Sequence, residues 1–154
     1  GQINLWRAWG CGLYARVPGA NLSGCIDDAI LAEDGAIAIL DYKTRGYPPK
    51  SGDSEIYYGA QLDTYGLLFQ MNGHKINGKG YLVYYWPSSA GVYYSPSHSY
   101  IDFPFESTVV NLEVKPGRTL ALIQRIVDVV AGEDPPKSAT DCEYCDYIKS
   151  RHPV

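Results

Sequence analysis

Residues 38–44 read "AILDYKT" and set an acid, Asp41, two positions from a base, Lys43, at the end of an apolar run. Along a strand, side chains two apart point to the same face, so the carboxylate and the ammonium share one side of the chain. Upstream stands a second acidic feature, Asp27 with Asp28. If its strand pairs with the one ending in Asp41, one of the two acids sits beside Asp41, since paired strands lie about 4.8 Å apart. Alternation alone leaves open which of the two it is. Adjacent carboxylates repel and are costly to bury unless a divalent cation lies between them. Magnesium fits: it takes oxygen ligands at about 2.0–2.1 Å and commonly uses one or two carboxylates plus substrate phosphate. Such an ion polarises a phosphoryl oxygen and acidifies water. A lysine on the same face can offset phosphate charge or help position and deprotonate that water.

The elements that must position these groups follow from periodicity and turn signals. Residues 12–17 and 22–32 read as strands joined by "PGAN", and "EDG" turns into a third strand, residues 36–43. That strand is apolar on both faces, with Ile37 and Ile39 on one and Ala38 and Leu40 on the other, so it is expected to be central, with helices flanking the sheet. After the loop 44–53, Asp53 or Ser54 is expected to cap a helix through Met71, in which Tyr58, Leu62, Tyr65 and Phe69 keep helical spacing. A strand at 80–86, loop or hairpin material to residue 100 and a further strand around 100–105 come next. A last helix, 118–132, places Leu120, Ile123, Val127 and Val130 on one stripe.

Taken in order, "GCID" at 24–27, "LDYKT" at 40–44 and "QLDTY" at 61–65 resemble the PD-(D/E)XK phosphodiesterase superfamily. They are most similar to its RecB-like branch, which includes the nuclease domains of helicase-nucleases and the CRISPR-associated exonucleases. The resemblance runs motif by motif over residues 12–72. It implies an α/β fold with a restriction-endonuclease-like mixed β-sheet flanked by helices. It makes Asp27, Asp41 and Lys43 catalytic, with Asp27, Asp41 and the backbone carbonyl of Tyr42 holding Mg²⁺ or Mn²⁺. Gln61 and Tyr65, four apart and so on one helix face, would touch the DNA backbone or water at the metal. Arg45 would help bind substrate, and Lys50, Lys75 and Lys79 extend a local basic groove. The reading is of a metal-dependent DNA exonuclease in recombination, repair or phage- and CRISPR-related processing, with DNA ends and a helicase or recombination protein as partners. The alternative is a catalytically silent nucleic-acid-binding or scaffold module of the same fold.

The chain departs from the branch at two places. A histidine ligand is usual on a helix ahead of the first motif acid, yet His74, His98 and His152 all follow Asp27. The ligand either lies upstream of Gly1 or is lacking, and "NLWRAW" at 4–9 is expected to be the last turn of that helix. At the other end, "CEYC" resembles the segment that holds an iron-sulfur cluster with four thiolates. Arg151 stands where the last cysteine is expected, so the reading is of no cluster, and Cys142 with Cys145 form a remnant pair or part of a zinc site with His152. Cys11 is a poor match to the upstream cluster ligand, and Cys25 reads as a small core residue.

Length and composition bound the rest. A chain of 154 residues with 45% hydrophobic and 19% charged residues is read as one soluble, cytoplasmic domain, 1–154, with 133–154 as its cysteine-containing tail. The sole methionine is Met71, so residues upstream of Gly1 are expected. A formal charge of -4 argues against binding of nucleic acid by bulk positive charge but not by a local groove. The 14 tyrosines suit strands, and Tyr47, Tyr93 and Tyr94, in or near loops, can also stack on bases. A second acid-x-lysine match, Glu113 to Lys115, leads into "PGR" rather than a strand-helix unit and is read as chance.

Overall fold

The computed structural model describes residues 2–8, 12–89, 91, 93–95, 100–134 and 136–151. Helix α1 (Gln2–Arg7) precedes a hairpin of β1 (Leu13–Val17) and β2 (Ala20–Gly24), then β3 (Asp28–Leu31) and β4 (Ile37–Thr44). Helix α2 (Asp53–Met71) crosses to β5 (Ile76–Pro87), followed by β6 (Tyr93–Ser95), β7 (Tyr100–Asp102) and β8 (Phe105–Glu113). Helices α3 (Pro116–Ala131) and α4 (Glu143–Arg151) end the described chain.

The main sheet has the order β3-β4-β5-β8. Its β4-β5 pair is parallel and its other two pairs are antiparallel, so the sheet is mixed. A parallel pair needs a long crossover, and α2 supplies it. Strand β4 is central, as its apolar sequence implies, and Ile37, Ala38 and Ile39 are buried. Alternation divides the sheet faces: Ile39 and Asp41 of β4 and Leu82 and Tyr84 of β5 are buried beside Leu62, Leu68 and Phe69 of α2. On the other face Tyr42 and Tyr85 are exposed.

The expected strand 22–32 is two strands. Its break spans residues 25–27, where the Ile26 amide leaves the ladder and donates to the carbonyl of Trp6 at 3.2 Å. As a result β1 and β2 form a sheet of their own, not the first part of a three-strand meander. Helix α2 is also capped differently from expectation. Gly52, at φ 84°, occupies the N-cap with no side-chain hydrogen bond, and the Ser54 hydroxyl instead pairs with the buried Tyr84 hydroxyl at 2.8 Å. Asn72 and Gly73 end α2 as the "NG" signal implied, the Asn72 side chain donating to the Leu68 and Tyr14 carbonyls.

Strand β8 lies beyond the segment expected at 100–105. It is an edge strand, exposed along most of its length, and Ser107 and Asn111 interrupt its apolar pattern. The tail, expected only as polar, contains α4, whose residues are largely exposed. The described residues at 93–102 form the antiparallel β6-β7 pair. No helix among the described residues is long and apolar enough to cross a membrane.

Helix α3 turns only half of the expected stripe inward. Leu120 and Val130 are exposed, and the half-buried or buried positions are Pro116, Thr119, Ile123 and Val127. The rotation is set by polar contacts at the start of the helix. Asp63 of α2, 2% exposed, accepts the Lys115 amide at 2.6 Å and the Arg118 guanidinium through Nε at 2.6 Å and Nη2 at 3.0 Å. Thr64 and Thr119 share a hydrogen bond at 3.3 Å. Removing this carboxylate leaves the Lys115 amide and the Arg118 guanidinium without their shared acceptor, which is costly. Asp63→Ala is therefore expected to lower unfolding free energy by roughly 2–3 kcal/mol, measured by urea denaturation; a change near zero would show that the α2-α3 contact does not depend on this carboxylate.

Candidate active site

Four elements converge at the C-terminal end of β4. Strand β4 sends Asp41 and Lys43 to the face covered by α2, and α2 directs Tyr58, Gln61 and Tyr65 back at them. The β2-β3 break delivers Asp27. The antiparallel register Asp28↔Leu40 brings Asp27 level with Asp41, and Asp27 Oδ2 accepts the Tyr42 amide at 3.0 Å. Asp28 turns elsewhere: its Oδ1 accepts the Ala29 amide at 2.9 Å and its Oδ2 the Tyr42 hydroxyl at 3.3 Å. Geometry thus separates the two acids that periodicity left equivalent.

Asp41 is 1% exposed and lies 2.5 Å, Oδ2 to Nζ, from Lys43. Lys43 also donates to Gln61 Oε1 at 3.1 Å, while Gln61 Nε2 donates to Asp41 Oδ1 at 3.1 Å and to the Tyr65 hydroxyl at 3.0 Å. The amide of Gln61 is one of the few neutral groups able to accept from the ammonium and donate to the carboxylate at once. The Lys43 ammonium also lies 4.6 Å from the centroid of the Tyr58 ring, a cation-π contact.

Burial is the first cause that raises the Asp41 pKa, Lys43 opposes it, and the neighbouring Asp27 raises it further. Burial likewise raises Tyr65, with Gln61 opposing. Although Asp41 Oδ2 is close to Lys43, it has no aligned hydrogen bond. An oxygen that is buried, anionic and incompletely satisfied, beside a second carboxylate, is a site for a hard cation. Among the described residues no group of three or more His, Cys, Asp and Glu side chains gathers, so the available donors are two carboxylates and backbone oxygen such as the Tyr42 carbonyl. That donor set fits magnesium or manganese, which fill remaining positions with water and phosphate.

Sequence reasoning overlooked two residues here. Tyr58 was legible, three positions before Gln61 and hence on its helix face, but looked like part of the apolar stripe. Arg7 had no sequence signal. It lines a cleft of about 670 Å³ together with Cys25, Asp27 and Tyr65. Gly24 permits this arrangement, since a Cβ there would meet Leu68 at 3.0 Å and Tyr65 at 3.3 Å.

The remaining candidates are dispersed. Arg45 stands just past β4, its guanidinium 4.8 Å from the Tyr47 ring centroid. Lys75 and Lys79 lie at the other end of the sheet, because Ile76 pairs with Ile37 and Gly80 with Ile39; Lys75 bonds Asp34 at 2.6 Å. They do not extend a groove at Asp41, since a parallel neighbour begins where β4 begins. Glu113 and Lys115 form an exposed ion pair at 2.6 Å, away from any second acid-lysine site. His74 packs on Trp6 and Phe69, ring centroids 5.0 and 5.8 Å away. Cys142 and Cys145 bring their sulfurs within 3.0 Å at the start of α4, and the Cys25 thiol donates to the Ala8 carbonyl. Cys11, His98 and His152 lie outside the described residues, as do the side chains of Tyr93 and Tyr94.

The raised Asp41 pKa has a sign that can be checked. An acid that binds its proton more tightly folded than unfolded favours folding at low pH, and that contribution is lost as pH rises through the folded value. In chelator, the Tm of Asp41→Asn relative to the wild type is expected to increase from about pH 4 towards neutrality, measured by differential scanning fluorimetry. A pH-independent difference would mean that Asp41 carries no buried-charge penalty.

Among curated proteins no relative matches the chain. Of solved structures, the crystal structure of SSO0001 aligns with 19% identity and a TM-score of 0.42, over 90% of this chain and 54% of that one. The present chain thus spans about half the length of that protein. The family model of the PD-(D/E)XK nuclease superfamily matches residues 3–150, nearly the whole chain, and the chain belongs to that superfamily.

Proposed function

We propose that the chain is a metal-dependent DNA nuclease of the RecB-like branch, acting as an exonuclease in recombination, repair or phage- and CRISPR-related processing. The observation that carries this reading is the Asp27, Asp41, Lys43 and Gln61 cluster, in which a buried carboxylate oxygen lacks a full complement of partners. The order and spacing of "GCID", "LDYKT" and "QLDTY" support the branch.

Asp27, Asp41 and the Tyr42 carbonyl would hold magnesium or manganese, which when bound polarises a phosphoryl oxygen and lowers the pKa of water. Lys43 supplies a fixed positive charge where the transferred phosphate gains negative charge, an effect strengthened by its partly buried setting. Gln61 holds the ammonium and the Asp41 carboxylate in register, so neither must reorganise when substrate arrives. Tyr65 fixes the Gln61 amide, and Tyr58 covers the ammonium on its other side. Water is the nucleophile, and no covalent intermediate is required.

Cleavage of end-labelled linear DNA in magnesium or manganese, compared with chelator, tests the reading. Lys43→Ala and Asp41→Ala are each expected to reduce the rate by about 10²–10³-fold while leaving a folded protein, and chelator should abolish cutting. The product ladder reports the direction of attack. A folded wild-type chain that binds DNA but does not cut it in either metal would overturn the enzyme reading and leave a binding module of the same fold.

A further inference from the structure

The loop between β4 and α2 and the first turns of α2 enclose a cleft of about 460 Å³, lined by Arg45, Tyr47, Lys50, Asp53, Tyr57 and Tyr58. It adjoins the acid-lysine cluster through a single ring: Tyr58 lines the cleft and also lies under the Lys43 ammonium. Tyr47 and Tyr57 are 55% and 68% exposed, so two aromatic surfaces are open to solvent at its margin. Arg45 is held in place. Its amide donates to the Tyr85 carbonyl at 2.9 Å, its Nη2 donates to the Tyr47 hydroxyl at 3.4 Å, and its guanidinium lies 5.9 Å from the Tyr84 ring centroid. The nearest acid, Asp53, is 4.0 Å away, a weak pairing for a charge only 17% exposed at its side chain. With Lys50 the cleft carries a net positive charge in a chain whose formal charge is -4.

A positioned guanidinium with open aromatic rings has the chemistry of an unpaired nucleotide: the charge takes the phosphate and a ring takes the base. A duplex base has both faces covered by its neighbours and cannot offer one to a tyrosine. Asp27, which lies beside Asp41, also lines the larger cleft together with Tyr65 and Arg7, so the cluster has a cleft on either hand for a strand. We propose that the Arg45, Tyr47, Lys50 and Tyr57 cleft is a subsite for an unpaired nucleotide of single-stranded DNA, next to the phosphate that is cut. This deepens the nuclease reading and rests on it for the position of the cut, but the binding itself requires no catalysis.

The test is fluorescence anisotropy of labelled oligo(dT) and of a blunt duplex, in chelator, with the wild type, Tyr47→Ala, Tyr57→Ala and Tyr47→Phe. Melting temperatures confirm that these exposed substitutions leave the fold intact. Tyr47→Ala and Tyr57→Ala are expected to raise the Kd for oligo(dT) by roughly tenfold and leave duplex binding unchanged. Tyr47→Phe, which keeps the ring and loses only the hydroxyl, should bind nearly as the wild type. Equal losses on both substrates, no loss on either, or no binding of oligo(dT) by the wild type would each overturn the subsite. If the wild type cuts DNA while the tyrosine variants bind normally, the subsite fails and the nuclease reading stands. If the wild type never cuts but those variants lose oligo(dT) binding, the subsite stands and the nuclease reading fails.

Discussion

The site is organised around the burial of one carboxylate. Asp41 is almost wholly removed from water, at the end of a strand whose apolar residues require that removal, and a second acid stands beside it. Each acid has partners that offset its charge. Lys43 offsets the charge of Asp41, Gln61 satisfies its Oδ1, and the Tyr42 amide takes up Asp27. Even so, the compensation is incomplete, since Oδ2 lacks an aligned donor. A stable core would fill such a position with an apolar side chain, and the deficit suits the proposed cation.

Much of the surrounding fold can be understood as what that cluster requires. The β2-β3 break costs a run of ladder hydrogen bonds, and the Trp6 carbonyl recovers one by accepting the Ile26 amide. At that break Asp27 lies level with Asp41 and accepts the Tyr42 amide. The parallel β4-β5 pair forces a long crossover, and that crossover is the helix bearing Tyr58, Gln61 and Tyr65. Behind it, Asp63 ties α2 to α3 through Arg118 and the Lys115 amide. Gln61 and Asp63, two positions apart on the helix, therefore face different neighbours: one holds the site and the other holds the helix. The aromatic and basic loop after β4 lies next to this cluster, which Tyr58 joins to it.

What the sequence determined is what depends on local periodicity. Alternation in "AILDYKT" put Asp41 and Lys43 on one face, helical spacing put Gln61 with Tyr65, and the apolar run marked β4 as central. Each of these is settled by bonds and sterics within a few residues. The α2 stop at Asn72 and Gly73 was legible for the same reason. Tertiary structure decided everything that depends on a partner distant in sequence. Periodicity left Asp27 and Asp28 equivalent, and the register of β3 against β4 separates them; only the parallel pairing of β5 could send Lys75 and Lys79 to the far end of the sheet. The same holds for α3: of its expected stripe Ile123 and Val127 are half-buried while Leu120 and Val130 are exposed, and the buried Asp63, which accepts from the Arg118 guanidinium and the Lys115 amide, brings Thr119 inward beside them. Arg7 was invisible because nothing near it in sequence announces that its helix will pack beside Asp27. Local periodicity can name the face on which a group lies, but the identity of its neighbours is a property of the packed chain, where the cost of an unpaired buried charge outweighs local preference.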